Sequence, residues 1–227
     1  METRTLGPQL TLLRFSVGQA YVWRDGEELT LIDTGPAGSG PDIAAVLAPL
    51  GRLRRIVLTH FHDDHAGSAA ELATDGVQVL AHRADAPIIR GERPGPPPSF
   101  TPPERELHAR GAAGLPPAPP APPARVDVEL DEGDRLDVGG GAVVLSVPGH
   151  TDGSIALHLP AAGVLFTGDL IAEWNGDIVQ GPFNVDPETA ARSARRLAAL
   201  SDVDIACFGH GEPLLGRAGD RLRPLLG

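Results

Sequence analysis

Short apolar runs alternate with amphipathic stretches along the chain and predict a mixed α and β protein. Residues 19–23 and 28–32 have the pattern of two strands, joined by a turn that contains Asp25 and Gly26. Apolar residues at positions 43, 46, 47 and 50 repeat at helical spacing and predict a helix over residues 41–50. By the same patterns we expect strands at 56–58, 77–80, 126–130, 142–147, 155–159, 164–167 and 205–208, and helices at 68–74, 187–200 and from 218 onward.

The helix expected at residues 187–200 carries the clearest start signal in the chain. Asp186 is placed as its N-cap, Pro187 takes the first helical position and Glu188 lies in the first turn. The apolar run that follows, at 205–208, contains the single cysteine, Cys207, which we expect to be a buried strand residue.

A proline-rich segment interrupts the alternation of strands and helices. Between Pro94 and Pro123, 12 of 30 residues are proline, which argues against regular sheet or helix apart from a short helix at 104–110. The segment is also too long for an ordinary connection. We therefore predict a single domain over residues 1–227 with an insert at about 91–124, which would act as a lid, a mobile insert or a linker.

The charge balance excludes several classes of partner. The formal net charge is −11, and each of the 19 basic residues is arginine. Nucleic acids and anionic membranes are bound by clustered positive charge, so we expect neither as a partner. The absence of lysine excludes Schiff-base chemistry and the P-loop lysine. The expected partner is a small-molecule substrate, and the oligomeric state stays open.

The start of the chain is polar and resembles no signal peptide. No stretch approaches the ~18 apolar residues that a membrane span needs. We therefore expect a cytoplasmic protein.

Side chains that bind metals well follow four predicted strands. They are His60, His150, Asp169 and His210, each at or just after the end of its apolar run. A rigid strand end can hold a ligand to within about 0.5 Å of its required position, which metal geometry demands.

The run from His60 to His65 concentrates three histidines and two carboxylates in six residues. His60 and His62 are two positions apart and point the same way on an extended segment, so both can bind one ion. Asp64 and His65 sit where the chain turns into the next helix and can face a second ion. Imidazole and carboxylate together suit zinc, and also iron or manganese. Two ions about 3.5–4 Å apart can share a water, with Asp169 as the natural bridging carboxylate.

The order of these motifs resembles the metallo-β-lactamase superfamily. His-x-His-x-Asp-His follows a strand, and Gly149-His150-Thr151, Thr167-Gly168-Asp169 and Gly209-His210-Gly211 come after it. The chain is most similar to the hydrolases grouped with glyoxalase II and the acyl-homoserine lactonases, over nearly its whole length. The resemblance implies an α/β (α+β) fold, in which two mixed β-sheets flanked by helices form an αββα four-layer sandwich.

The resemblance also implies a role for each residue of the motifs. His60, His62 and His150 would hold the first metal, Asp64, His65 and His210 would hold the second, and Asp169 would bridge the two. Asp33, at the end of an early strand, would support the ligands from behind. The pattern leaves position 63 open, so Asp63 is expected to be a solvated turn residue.

The implied function is hydrolysis of a small ester, thioester or lactone with two zinc ions. Zinc lowers the pKa of bound water from ~15.7 towards ~7, so that hydroxide is available at neutral pH. Asp64 would be both a ligand and the residue that shuttles the proton. One alternative is a persulfide dioxygenase-like oxidoreductase with one iron held by His60, His150 and Asp169. Phosphodiester cleavage and metal binding without catalysis are the others.

Departures from the family pattern narrow the substrate. Glyoxalase II proteins carry a further C-terminal helical region, whereas 17 residues follow His210 here, so glutathione thioesters are not the expected substrate. The bridging Asp169 counts against antibiotic hydrolysis, and Tyr21 is too early in the chain for the tyrosine of the lactonases. Trp174 and Phe183 are candidates for an apolar substrate pocket over the metals, with the proline-rich segment covering the same face.

Overall fold

Two mixed β-sheets lie face to face, with helices on both outer surfaces. The structure is a computed structural model that describes residues 1–114 and 119–226. Residues 115–118 of the predicted insert lie outside the described residues.

Within the described residues, the first sheet has seven strands in chain order. They are β1 (Glu2–Thr5), β2 (Leu10–Arg14), β3 (Gln19–Asp25), β4 (Glu28–Ile32), β5 (Arg52–Leu58), β6 (Gln78–His82) and β7 (Val128–Leu130). The second sheet begins with β8 (Arg135–Leu136), β9 (Ala142–Ser146), β10 (Ile155–Leu159) and β11 (Val164–Phe166). The chain then forms a hairpin of β12 (Ile171–Trp174) and β13 (Asp177–Gln180), and completes the second sheet with β14 (Ile205–Cys207) and β15 (Leu214–Leu215).

The helices lie between these strands. They are α1 (Gly40–Leu47), α2 (Asp63–Ala66), α3 (Ala69–Leu72), α4 (Ala86–Ile89), α5 (Pro102–Gly114), α6 (Pro187–Ala198) and α7 (Ala218–Leu222). Short 3-10 turns cover Pro160–Ala162, Gly168–Leu170 and Arg223–Leu226. Among the described residues, no helix is both long enough and apolar enough to cross a membrane.

The strand directions bring the carboxyl ends of several strands to one edge of the sandwich. In the first sheet, β4, β5, β6 and β7 are paired in parallel. In the second sheet, β9 and β11 both run antiparallel to β10, and β14 runs parallel to β11. The carboxyl ends of β9, β11 and β14 therefore meet at the same edge, where loops can carry functional side chains.

Three buried apolar clusters hold the layers of the sandwich together. Between the sheets, Leu12 and Trp23 of the first sheet belong to the same buried cluster as Leu157 and Phe166 of the second. A second cluster joins the outer face of the first sheet to α1 and α3, and a third joins the second sheet to α6 and α7. Full burial of each large apolar side chain contributes about 1.5–3 kcal/mol. The predicted αββα fold is confirmed.

Two predicted helices differ from the observed ones because of proline. Helix α1 ends at Leu47 rather than at residue 50, since Pro49 has no N–H to continue the helical hydrogen bonds. Helix α5 is longer than the predicted 104–110. Its first-turn prolines need no hydrogen-bonded N–H, and Thr101 and Glu104 form a capping box in which the Thr101 N–H donates to Glu104 Oε2 over 2.7 Å.

The insert is closed at its base. The N–H of Ala124 donates to the carbonyl of Ile89 over 2.9 Å. The segment between these residues therefore leaves and rejoins the fold at one point, between β6 and β7.

We predict that Asp186→Ala lowers the free energy of unfolding by about 0.5–2 kcal/mol. The Asp186 carboxylate accepts hydrogen bonds from the N–H groups of Glu188, over 3.1 Å, and of Thr189, over 3.0 Å, at the start of α6. Urea unfolding measures the loss. Glu188→Ala is the control, because it keeps the cap and removes only the first-turn charge, so an equal loss in both variants would contradict the capping role.

Candidate metal centre

Loops at one edge of the sandwich bring the seven predicted ligands together. They fall into two groups, His60, His62, His150 and Asp169 in the first and Asp64, His65 and His210 in the second, and the donor atoms within each group lie within 4.8 Å of one another. Each group takes residues from the loops of both sheets. A Cβ at Gly149 would clash with the Ala190 backbone nitrogen, so the chain before His150 needs glycine to pass α6.

The first group is dominated by imidazole nitrogens. His62 Nδ1 lies 3.0 Å from His150 Nε2. Asp169 Oδ2 lies 3.6 Å from His150 Nε2 and 3.9 Å from His60 Nε2. Three nitrogens and one carboxylate oxygen converge, which is a donor set suited to zinc or iron.

The second group shares Asp169 with the first. His210 Nε2 lies 3.2 Å from Asp64 Oδ2 and 3.2 Å from Asp169 Oδ2. His65 Nε2 lies 3.0 Å from Asp169 Oδ1. The two oxygens of Asp169 thus face both groups, as a bridging carboxylate requires.

Buried atoms without hydrogen bonds indicate that this donor set fits metal ions. Among the described residues, Nε2 of His60, Nε2 of His65 and Oδ1 of Asp169 are buried and have no hydrogen-bond partner. Buried polar atoms normally have partners, because leaving one unpaired costs about 1–3 kcal/mol. His65 Nε2 and Asp169 Oδ1 approach each other without forming a hydrogen bond, as two ligands of one cation would.

Burial keeps the imidazoles of the first group neutral. It lowers the pKa of His60 well below its usual range, with the nearby His65 acting in the same direction. Burial likewise lowers the pKa of His62 to about 4 and lowers that of His150. A neutral imidazole offers the lone pair that a metal needs.

The second group lies in a strongly negative field. Burial alone would lower the pKa of His210, but the Asp169 and Asp64 carboxylates outweigh it and raise that pKa to about 10. The same two carboxylates and Asp33 overcome burial and raise the pKa of His65 well above its usual value. Positive charge is therefore favoured here, which suits a divalent cation.

Asp33 orients two ligands from behind. Its Oδ2 accepts from His65 Nδ1 over 2.9 Å and from Thr59 Oγ1 over 2.8 Å, and its Oδ1 accepts from the Thr59 N–H over 2.7 Å. Thr59 Oγ1 also lies 3.0 Å from His60 Nδ1. These bonds hold Nε2 of both imidazoles towards Asp169, as outer hydrogen-bond partners do in metal sites. The sequence indicated Asp33 but missed Thr59.

Asp85 is a second residue that the sequence did not indicate. It follows β6 and is buried, and burial raises its pKa to about 6. Its carboxylate accepts from Thr151 Oγ1 over 2.7 Å, from the Gly153 N–H over 2.9 Å and from the Phe61 N–H over 3.2 Å. Asp85 therefore ties the loop of His60 and His62 to the loop of His150. Its position after a strand parallel to β5 was the available signal.

The two substrate-binding candidates belong to segments that are hydrogen-bonded to different ligand residues. Trp174 ends β12 with 58% of its surface exposed, and the preceding residue, Glu173, donates its N–H to the His210 carbonyl over 3.4 Å. Phe183 is half-buried, two residues before Val185, whose N–H donates to the His150 carbonyl over 3.2 Å. Their role as substrate contacts stays a prediction.

The insert packs against Phe183 and against the metal-binding loop. The Phe183 ring centroid lies 5.6 Å from that of Phe100 and 5.5 Å from that of His108. The Phe183 N–H donates to Glu104 Oε1 over 3.0 Å. Phe183 has a positive φ of 64°. Asp63 is exposed, and its Oδ1 accepts from the Ala121 N–H over 2.8 Å.

Fold and donor set define a metal-binding protein of the αββα class. The sequence profile of the metallo-beta-lactamase superfamily matches residues 13–210. The chain belongs to this superfamily, which confirms the resemblance seen in its motifs.

Curated relatives include enzymes with hydrolase names. A hydroxyacylglutathione hydrolase of Fuscovulum blasticum is 35% identical over 183 residues, covering 79% of this chain and 56% of that protein. The chain thus spans a little over half the length of that relative. The probable metallo-hydrolase YqjP of Bacillus subtilis is 30% identical over 232 residues, covering 88% of this chain and 69% of that protein.

Solved structures share the fold. The metallo-beta-lactamase family protein TTHA1429 of Thermus thermophilus superposes with a TM-score of 0.69 at 25% identity, covering 98% of this chain and 79% of that one. TTHA1623, solved in a di-iron-bound form, superposes with a TM-score of 0.63 at 30% identity, covering 95% of this chain and 94% of that one.

We predict that Asp33→Asn weakens metal binding about 10–100-fold, because the His60 and His65 rings lose their charged anchor. Asparagine tolerates the positive φ of 59° at this position, so the backbone is preserved. Titration of metal-free protein with Zn²⁺ measures the change. Asp75→Asn, at an exposed position, is the control and should bind like the parent. Parent-like affinity in Asp33→Asn would contradict the orienting role.

Proposed function

We propose that this protein is a hydrolase that uses two zinc ions to cleave a small ester, thioester or lactone. The observation that carries the proposal is the position of Asp169 between the two groups of donors, with one oxygen 3.0 Å from His65 Nε2 and the other 3.6 Å from His150 Nε2. A carboxylate so placed suits a pair of ions that act on one substrate.

The chain's own residues would divide the work at this site. When bound, a pair of zinc ions would supply an activated water and a Lewis acid for a carbonyl oxygen. The buried, neutral imidazoles of His60, His62 and His150 offer lone pairs to the first ion. Asp64, beside His210, is the carboxylate that we assign to accept the proton of the attacking water and to pass it to the leaving group.

The relatives favour thioesters among the three substrate classes. The hydroxyacylglutathione hydrolase of Fuscovulum blasticum acts on an acylated glutathione by its name, and its match covers 79% of this chain. Since the chain spans 56% of the Fuscovulum blasticum protein, glutathione itself is not part of the proposal.

Metal removal tests the proposed function. We expect about two zinc ions per chain in protein purified without added metal, and hydrolysis of a thioester, ester and lactone panel that falls to the buffer rate after chelation. Added Zn²⁺ should restore it, because the activated water depends on the ion. Asp63→Asn, outside both donor groups, should keep the parent's metal content.

A different metal content would redirect the assignment. About one iron per chain, with oxygen uptake when a persulfide is added, would favour the dioxygenase alternative. In that case His60, His150 and Asp169 would hold the iron. Two zinc ions with cleavage of a phosphodiester and none of the acyl panel would instead favour a phosphodiesterase. Two ions with no accessible position for water or an inhibitor would contradict catalysis altogether.

We further propose that Phe183 and the insert form the substrate-side wall of the site. Described residues of the insert contact Asp63, which lies between the ligands His62 and Asp64, and Phe183, whose segment is bonded to the His150 carbonyl through Val185. A non-glycine residue at positive φ costs roughly 1 kcal/mol or more, and such strain often accompanies functional positions. An apolar acyl group entering between these loops would meet the aromatic rings of Phe100 and Phe183.

We predict that Phe183→Gly lowers kcat/KM at least about fivefold for an octanoyl ester and leaves the acetyl ester within about twofold, since about 0.8 kcal/mol is lost per CH₂ that is no longer buried. Glycine accepts the backbone conformation, so the loop is retained. Asn175→Gly, also at positive φ (53°), is the matched control. An equal loss for both esters would contradict the wall.

A further inference from the structure

The loop that carries His210 is held by side chains of the opposite sheet. Gln19 Nε2 donates to the carbonyl oxygens of Phe208 and Gly211, each over 2.9 Å. Tyr21 Oη donates to the same Phe208 carbonyl over 2.8 Å and lies 3.0 Å from Gln19 Nε2. The buried Gln19 amide is therefore hydrogen-bonded to the backbone on both sides of His210.

The same hairpin also contacts another ligand of the second group. A Cβ at Gly18 would lie 2.8 Å from the Asp64 carbonyl oxygen, so the turn between β2 and β3 packs directly against Asp64. At the hairpin's other strand, Arg14 Nη2 donates to the Gly211 carbonyl over 3.3 Å. Residues 14–21 thus contact Asp64 itself and the backbone on both sides of His210.

His210 depends on this support more than the three fully buried histidine ligands do. Its side chain is 39% exposed, whereas those of His60, His65 and His150 are 2% exposed or less. Packing fixes the buried rings, but an exposed ring is placed mainly by its backbone. On the side of the second sheet, the Gly209 N–H donates to the Gly168 carbonyl over 2.9 Å, so the loop is held between both sheets.

We propose that Gln19 and Tyr21 are positioning residues for the second metal, and that their loss weakens the binding of that ion but not of the first. The inference rests on the two-ion function proposed above. Among the described residues, the side-chain hydrogen bonds of Gln19 and Tyr21 run to Arg14, to each other and to the His210 loop, and none reaches Thr59 or Asp85, which support His60 and the loops of the first group. Burial raises the pKa of Tyr21 well above its usual value, so its hydroxyl stays a donor. Outer hydrogen-bond partners of metal ligands typically account for 10–100-fold in affinity.

The test is a calorimetric titration of metal-free full-length protein with Zn²⁺. Gln19→Met keeps the side-chain volume and removes both N–H donors, and Tyr21→Phe removes one hydroxyl and serves if Gln19→Met fails to fold. Thr30→Val is the matched control, a buried polar-to-apolar change in β4 of the same sheet. His62→Ala and His210→Ala assign each binding step to its group, and thermal unfolding of the metal-free variants reports general stability.

We expect the second binding step to weaken at least about tenfold in Gln19→Met and about two- to tenfold in Tyr21→Phe, with the first step within about twofold of the parent. Thr30→Val should change neither step. Equal weakening of both steps, or parent-like binding in both variants, would overturn the inference while leaving the two-ion function intact. A parent protein that binds one zinc would overturn both.

Discussion

The apolar interface between the two sheets is the constraint on which the metal centre depends. Neither sheet holds a complete donor group, because His60 and His62 follow the first sheet while His150 and Asp169 follow the second. The distances between donors are therefore set by how the sheets pack, through the cluster that contains Phe166. Close-packed interiors resist small displacements, and this stiffness is transmitted to the ligands.

The sequence predicted the strands that end at metal-binding residues because two signals coincide there. An apolar run gives the strand, and a glycine or threonine beside a histidine or aspartate marks its end, as at Gly149-His150 and Gly168-Asp169. Thr59, Asp85 and Gln19 could not be found in this way. Their partners are far away in sequence, as when Asp85 meets Gly153, so that their roles exist only after the sheets have paired.

Other elements escaped prediction for local reasons. Strand β1 (Glu2–Thr5) is polar and lies at a sheet edge, where little of it is covered and no apolar alternation is needed. The β12–β13 hairpin turns at Asn175-Gly176, both at positive φ, and this pair is a strong hairpin signal that was present in the sequence. For α5, the proline content predicts a shorter helix than the observed one, although prolines in a first turn are compatible with a helix.

Because the insert is closed at its base, its length and sequence can change independently of the two sheets. Because Ala124 returns to Ile89 between neighbouring parallel strands, the segment can lengthen, shorten or be exchanged without shifting the register of either sheet. Doubling such a loop costs only about 0.6 kcal/mol in closure entropy. Natural selection can therefore remodel what reaches the donor residues while the donor residues themselves stay unchanged, which is how one scaffold can come to serve many substrates.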